Sequence, residues 1–164
     1  YNIPVYTGIR IAPDLVGRLA AHPSVLGIKD SSRDMEYLQE VVYATAGADF
    51  RVLTGTDTLL VASLVLGAHG TIAASVNLVP QLAVGIHRAY TSGDLMAARA
   101  QQKQLVRVVM ACRRGPAPAG WKAALAIVGI CADTMAAPAS VLSEPLRTEL
   151  ARELAELGVH SPAL

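Results

Sequence analysis

The stretch Val25-Leu-Gly-Ile-Lys-Asp-Ser-Ser32 carries the clearest fold signal in the chain. It begins as a short apolar run and reaches a single lysine, Lys29, followed by polar residues suited to starting a helix. This pattern predicts a buried strand that delivers a cation to its C-terminal end. In parallel α/β proteins, catalytic and binding residues collect at the C-terminal ends of the strands. Lys29 is therefore the first candidate functional residue, and the alternative is a surface lysine just past a strand.

The chemistry open to Lys29 follows from its expected surroundings. Partial removal from water disfavours the charged form of an amine, and a neutral amine is a nucleophile that forms a Schiff base with a ketone. Tyr1 precedes Lys29 by about one strand–helix unit, which predicts that both lie on adjacent strands at the same end. A phenol beside an amine can shuttle protons during carbinolamine formation and dehydration. Tyr1 and Lys29 together thus form a candidate catalytic pair.

Strand and helix patterns alternate along the first part of the chain, which predicts a parallel sheet with right-handed crossovers. A (β/α)8 barrel needs eight strands and typically ~250 residues, whereas four strands are expected here. The chain is either half of such a barrel or a small open sheet, and its 52% hydrophobic content favours the half-barrel. The expected strands are 1–4, 25–29, 50–54 and 71–74, and the expected helices are 15–20, 34–46, 57–66, 80–90, 95–112, 121–128 and 143–157.

The amino-acid composition argues against several classes of function. Only 16% of residues are charged and the net charge is +1, which argues against nucleic acid or a membrane surface as the main partner. No apolar run reaches the roughly 18 residues of a membrane span. Cys112 and Cys131 form no disulfide or metal pattern, which suits a reducing cytoplasm. Arg113 lies in a Pro/Gly-rich linker and is expected to be solvated, and Trp121 is expected to serve packing.

Four motifs in this order resemble the dihydrodipicolinate synthase / N-acetylneuraminate lyase family of class I, Schiff-base aldolases. They are Tyr1-Asn-Ile-Pro-x-x-Thr-Gly8, Gly27-Ile-Lys-Asp-Ser-Ser32, Leu53-Thr-Gly-Thr-Asp57, and Gly67-Ala-His-Gly-Thr-Ile72 leading to Asn77-Leu-Val-Pro80. The resemblance implies an α/β fold of the (β/α)8 TIM-barrel type with a C-terminal helical extension. Residues 1–94 would be the C-terminal half of the barrel, about its last four βα units, and residues 95–164 the extension.

The resemblance also implies an activity and a site. Tyr1 would be the proton-relay tyrosine, and Lys29 would form the Schiff base with pyruvate or another 2-oxo acid. Gly55 and Ile72 would line the pocket, Ile72 through its backbone. The enamine formed at Lys29 would attack an aldehyde, or the reverse reaction would cleave a carbon–carbon bond. No metal or organic cofactor is required, and the expected assembly is a homo-oligomer, usually a tetramer.

Two departures from the family pattern matter. The chain begins at Tyr1 within a strand-like motif, so we expect the family's N-terminal half, with its motif for the substrate carboxylate, to be missing. In dihydrodipicolinate synthases an arginine follows the Tyr-Asn-x-Pro segment, where this chain has Tyr6, and a phenol cannot pair with a carboxylate as a guanidinium does. This difference favours a sugar-acid or 2-oxo-acid aldolase. Dihydrodipicolinate synthase of lysine biosynthesis and a non-catalytic partial chain remain the alternatives.

Overall fold

A computed structural model describes residues 1–160 and shows a three-stranded parallel sheet flanked by helices. The strands are β1 (Gly27–Asp30), β2 (Arg51–Thr54) and β3 (Gly70–Thr71), in the order β1-β2-β3. In the register, Lys29 lies beside Leu53, and Thr54 lies beside Thr71. The α/β prediction is thereby confirmed, and the sheet is consistent with part of a (β/α)8 barrel.

Eight α-helices and two short 3₁₀ turns surround this sheet within residues 1–160. The 3₁₀ turns cover Asp57–Leu59 and Ala74–Asn77. The helices are α1 (Pro4–Thr7), α2 (Pro13–Ala20), α3 (Met35–Ala44), α4 (Leu60–Val65), α5 (Pro80–Thr91), α6 (Leu95–Cys112), α7 (Ala119–Ile127) and α8 (Glu144–Glu156). No helix in this described part of the chain is both long and apolar enough to cross a membrane.

Strand β1 has two different faces because successive side chains of a strand point to opposite sides. Ile28 and Asp30 are buried, whereas Lys29 between them is only half-buried. Helices α2 and α3 cover the Ile28 face and form a core with it, to which Val16, Leu38 and Val52 contribute. The lysine is thus held on the sheet face opposite to this core.

The chain start departs from the expected strand over residues 1–4. Only Asn2 pairs with the sheet, in a parallel bridge to Asp30, through bonds from the Asn2 N–H to the Lys29 carbonyl at 2.9 Å and from the Ser31 N–H to the Asn2 carbonyl at 2.9 Å. Pro4 then begins helix α1, because proline fits the first turn of a helix and lacks the N–H that would continue a ladder. The strand predicted over residues 1–4 is therefore reduced to one residue.

The third strand is also shorter than the expected 71–74. Strand β3 spans Gly70–Thr71, and a 3₁₀ turn follows at Ala74. Gly70 has φ +158°, and the Thr71 hydroxyl donates to the Thr54 carbonyl at 2.9 Å. Sequence alone overestimates the strand because residues 71–74 are apolar or β-branched, which is also compatible with a buried turn.

A second core joins the two regions on either side of the expected boundary at residue 94. Leu64 of α4 and Ile86 of α5 pack in one cluster with Leu105 of α6 and Leu150 of α8. Asp94 caps α6, with its carboxylate accepting the Ala97 N–H at 2.9 Å, as expected for an N-cap aspartate. The C-terminal helices therefore pack directly on the helices that follow β2 and β3.

Candidate active site

Lys29 lies at the C-terminal end of β1 beside the tyrosine predicted to accompany it. The Lys29 amine sits 4.3 Å from the centre of the Tyr1 ring. At this distance the negative face of an aromatic ring attracts a cation. The structure thus brings together the two predicted catalytic residues, with the ring positioned to stabilise positive charge on the lysine nitrogen.

The position of Tyr1 depends on its neighbour Asn2 and on the carboxylate of Asp30. The Asn2 side chain donates to Asp30 Oδ1 at 2.7 Å, and Ser32 adds its N–H at 3.1 Å and its hydroxyl at 2.9 Å to the two oxygens of the same carboxylate. Asp30 is only 4% exposed, so its charge depends on these donors. Asp30 therefore fastens the first residues of the chain to β1.

The Tyr1 hydroxyl has a polar partner in the cavity. It lies 3.1 Å from Ser31 Oγ, a distance at which either hydroxyl can donate. Two hydroxyls in hydrogen-bond contact can pass a proton from one to the other. The pair supplies a proton donor close to Lys29.

Gly55, predicted to line the pocket, lies against the lysine stem. Its N–H donates to the Asp30 carbonyl at 2.6 Å. A Cβ at this position would stand 2.7 Å from Lys29 Cε and would overlap Ser31 Oγ. Only glycine leaves room here for the lysine and serine side chains.

A cavity of about 450 Å³ opens above these residues. Ile72 does not belong to its lining, although the next two residues do. The residue is 51% exposed, and its N–H donates to the Thr54 carbonyl at 3.0 Å. The role expected for Ile72 therefore stays a prediction. The lining residues are Tyr1, Ile3, Val5, Tyr6, Lys29, Ser31, Ser32, Arg33, Gly55, Thr56, Asp57, Ala73, Ala74, Arg113 and Trp121.

The lining also includes Arg33, Asp57, Arg113 and Trp121, which the sequence does not predict to belong to the site. Asp57 is expected at the start of the predicted helix 57–66, yet its buried carboxylate accepts the Ser75 N–H at 3.0 Å. Arg113 and Trp121 are expected to be solvated and to serve packing, respectively, yet both reach the cavity from the C-terminal region. Arg33 lies four residues after the candidate lysine, and this position is the one feature of the sequence that could have indicated a place in the site.

The arrangement suits covalent chemistry on a carbonyl group. It combines a primary amine, two hydroxyls in contact and a cavity large enough for a small organic substrate. Within residues 1–160, no group of three or more His, Cys, Asp or Glu side chains is arranged to hold a metal ion. Among the lining residues named above, Asp57 alone carries a carboxyl group.

Comparison with solved structures shows that this architecture is shared with one class of α/β proteins. YagE from E. coli K12, a prophage protein of the dihydrodipicolinic acid synthase family crystallised in complex with pyruvate, is 32% identical with a TM-score of 0.87, covering 97% of this chain and 55% of YagE. Dihydrodipicolinate synthase from Thermotoga maritima is 30% identical with a TM-score of 0.90, covering 97% of this chain and 54% of that protein.

Sequence comparison then identifies the family. The sequence profile of the Dihydrodipicolinate synthetase family matches residues 1–157, so the chain belongs to this family, as the motifs predicted. An uncharacterised DapA-like lyase of Halobacterium salinarum is 38% identical over 97% of this chain and 52% of its own length. The 4-hydroxy-tetrahydrodipicolinate synthase of Methanoculleus marisnigri is 31% identical over 96% of this chain and 54% of its own length. The chain spans about half the length of these curated relatives.

Proposed function

We propose that Lys29 forms a Schiff base with pyruvate or another 2-oxo acid, and that the protein is a class I lyase that makes or cleaves a carbon–carbon bond. The observation that carries this proposal is the Lys29 amine lying 4.3 Å from the centre of the Tyr1 ring, with both side chains lining one cavity. Family membership supports the same class of enzyme.

Each step of the reaction has a group in the cavity that can perform it. The neutral Lys29 amine attacks the ketone carbon and gives a carbinolamine. Tyr1 donates its phenolic proton to the carbinolamine hydroxyl, which leaves as water, and the lysine nitrogen becomes a protonated imine. The Tyr1 ring beside that nitrogen stabilises the positive charge, and the Ser31 hydroxyl stabilises the phenolate by donating a hydrogen bond to it.

The protonated imine then serves as the electron sink for the carbon–carbon bond. The Tyr1 phenolate takes a proton from the carbon next to the imine to give an enamine, and the enamine carbon attacks an aldehyde carbonyl to form the new bond. The resulting alkoxide takes up the phenolic proton of Tyr1. Water then adds to the protonated imine, the proton set free returns to the Tyr1 phenolate, and the product and free Lys29 are released. Cleavage follows the same steps in reverse, with Tyr1 serving as acid in one direction and base in the other.

The proposal extends to the wider architecture. Residues 1–94 form the C-terminal half of a (β/α)8 barrel, because their three parallel strands carry helices on one face and present Lys29 on the other. The helical extension predicted over residues 95–164, of which 161–164 lie outside the described residues, shares a core with the half-barrel. A homo-oligomer, with a tetramer as the expected form, and a cytoplasmic location complete the proposal and rest on the sequence arguments above.

A second candidate is 4-hydroxy-tetrahydrodipicolinate synthase, the name borne by the Methanoculleus marisnigri relative. Against it stands Tyr6, which lines the cavity where those synthases have an arginine for a second carboxylate. Turnover of aspartate semialdehyde compared with turnover of 2-oxo sugar acids separates the two candidates, and we expect the sugar acids to be the better substrates.

Borohydride trapping tests the Schiff base directly. The protein in its full encoded length is incubated with pyruvate and reduced, and the modified residue is located by peptide mass spectrometry. Residues 1–164 contain three lysines, Lys29, Lys103 and Lys122, and peptide mass spectrometry distinguishes among them. We expect the reduced pyruvyl group on Lys29 alone.

Matched variants complete the experiment. Lys29→Ala is expected to abolish trapping, and Lys103→Ala, which removes an exposed lysine of α6 outside the cavity, is expected to leave it unchanged. Absence of any adduct in a folded protein, or an adduct on Lys103 or Lys122, contradicts the proposal and favours a non-catalytic role.

A further inference from the structure

The cavity above Lys29 is unevenly charged. Three cationic side chains line it, Lys29, Arg33 and Arg113, against the single carboxylate of Asp57. That carboxylate is buried and already accepts the Ser75 N–H at 3.0 Å. The exposed part of the cavity is therefore positive, which favours anionic ligands.

Neither arginine is neutralised by a neighbouring carboxylate within residues 1–160. The acid next to Arg33 is Asp34, which pairs instead with Arg10 at 3.0 Å. Next to Arg113, Arg114 forms ion pairs with Glu149 and Glu153. Both cavity arginines thus keep their guanidinium groups available to a ligand.

The backbone at Arg33 adds an independent observation. Its φ is +65°, and Arg33 is the one non-glycine residue with positive φ in the described part of the chain. An L-residue with a Cβ is strained in this left-handed region, where glycine or asparagine is preferred. Strain of this kind clusters at functional sites, where the surrounding structure maintains it, and the Arg33 side chain lines the cavity.

We propose that Arg33 and Arg113 bind an anionic group, a carboxylate or a phosphate, at the end of the substrate remote from the carbonyl that Lys29 attacks. The inference rests on the proposed function, because the Schiff base at Lys29 sets which end of the substrate faces the arginines. The α-carboxylate of a 2-oxo acid is bonded to the imine carbon, so it stays beside the half-buried Lys29. The two arginines are exposed and lie on loops after β1 and α6, at the outer part of the cavity.

This assignment also accounts for the tyrosine at position 6. That residue lines the same cavity without a charge, so a second anion cannot be held there as by a guanidinium. Arg33 and Arg113 supply two guanidinium groups from other loops, and each can form paired hydrogen bonds to a planar carboxylate or to a phosphate. The aldehyde partner of this protein therefore carries its own negative charge, at a different place in the cavity from the second carboxylate of the synthases.

Binding of unreactive probes tests the inference without requiring the Schiff base. Glycerol, D-glycerate and glycerol 3-phosphate share a carbon skeleton but carry no anion, a carboxylate and a phosphate, respectively, and none has a ketone or aldehyde for Lys29. In calorimetric titrations of the full-length protein we expect one of the two anions to bind at least about tenfold more tightly than glycerol. Tighter binding of D-glycerate would identify the bound group as a carboxylate, and tighter binding of glycerol 3-phosphate would identify it as a phosphate.

Three arginine variants locate the binding. Arg33→Asn removes one guanidinium and introduces a residue that tolerates positive φ. Arg113→Gln removes the second guanidinium. Each variant is expected to bind the preferred anionic probe about tenfold more weakly. Arg99→Gln removes an exposed arginine of α6 that does not line the cavity and is expected to leave the affinity unchanged.

Three results overturn the inference: equal binding of all three probes, anion binding that persists in both cavity variants, or anion binding lost equally in Arg99→Gln. A fourth result would also overturn the inference. If Arg33→Asn and Arg113→Gln need more pyruvate for borohydride trapping but bind the anionic probes normally, the arginines hold the α-carboxylate instead. Failure of trapping alone removes the proposed Schiff base, and the probe titrations then test the anion site independently of it.

Discussion

The two faces of strand β1 perform different tasks with neighbouring residues. Ile28 and Asp30 point to the helix side, where one packs in a core and the other holds Asn2. Lys29 and the following Ser31 point to the cavity, where they meet Tyr1. One face is buried and fixes the structure, while the other is half-buried and carries reactive groups. Substitutions on the two faces should therefore fail in different ways.

The largest effect is expected on the cavity face. Lys29→Ala removes the nucleophile, so carbon–carbon bond formation should fall to background, a loss of several orders of magnitude. The free energy of unfolding should change by less than about 1 kcal/mol, because a half-buried lysine contributes little to packing. Steady-state turnover and urea denaturation of the same sample measure both quantities. A loss of several kcal/mol would show that Lys29 supports the fold instead.

The opposite outcome is expected one residue earlier. Ile28→Ala leaves a cavity in the core between β1 and helices α2 and α3 and should cost about 2–5 kcal/mol of stability. Trapping of pyruvate on Lys29 should persist in the fraction that remains folded. Val65→Ala on α4 is the control, because Val65 is 57% exposed and should change stability by less than about 0.5 kcal/mol.

Gly55→Ala should lower both stability and trapping on Lys29. Gly55 lies against the Lys29 and Ser31 side chains, and its N–H donates to the Asp30 carbonyl. Its new Cβ would stand 2.7 Å from Lys29 Cε, and such overpacking costs about 1–3 kcal/mol while displacing the amine. The rate of pyruvate trapping should fall along with stability. Gly17→Ala crowds the Ala44 carbonyl at 2.8 Å, far from the cavity, and should lower stability with the trapping rate unaffected. Equal trapping rates in both variants would argue against a tight fit around Lys29.

A smaller effect is expected at Tyr37, on the helix side. Its hydroxyl is buried and has no hydrogen-bond partner among the described residues, and burial together with the charge of Asp30 raises its pKa to about 12. Tyr37→Phe removes an unpaired polar group and should stabilise the protein by up to about 1 kcal/mol. Thermal denaturation measures the change, and a loss of more than that amount would reveal a partner for the hydroxyl.

The sequence predicted the parts of this fold that depend on local pattern. Strands β1 and β2 lie within two residues of their expected positions, because compact apolar runs ending in polar residues are distinctive. Tyr1, Lys29 and Gly55 are singled out by motifs and do lie together. The two-residue strand β3 and the single bridge at Asn2 are too short to leave a periodic pattern.

The rest of the site depends on contacts between distant segments. Arg113 and Trp121 reach the cavity only because α6 and α7 pack against helices that follow the sheet, and no local pattern encodes that approach. Taken alone, the Pro/Gly-rich segment around Arg113 is typical of a solvated linker. Prediction from one sequence thus found the candidate catalytic pair and missed several residues that surround it in the cavity.

At Arg33 a small gain in stability is expected to accompany a loss of binding. It adopts a φ of +65° on the loop that leaves the β1 cavity face, and glycine relieves this strain at the expense of a more flexible unfolded chain. Arg33→Gly should therefore leave stability unchanged or raise it by about 1 kcal/mol, while weakening the binding of the preferred anionic probe by about tenfold. Chemical denaturation and probe titration on the same preparation measure the two changes. A stabilised variant with lost anion affinity would show that the left-handed backbone is retained at position 33 for the sake of the guanidinium; loss of stability would show that Arg33 makes contacts that hold the loop itself.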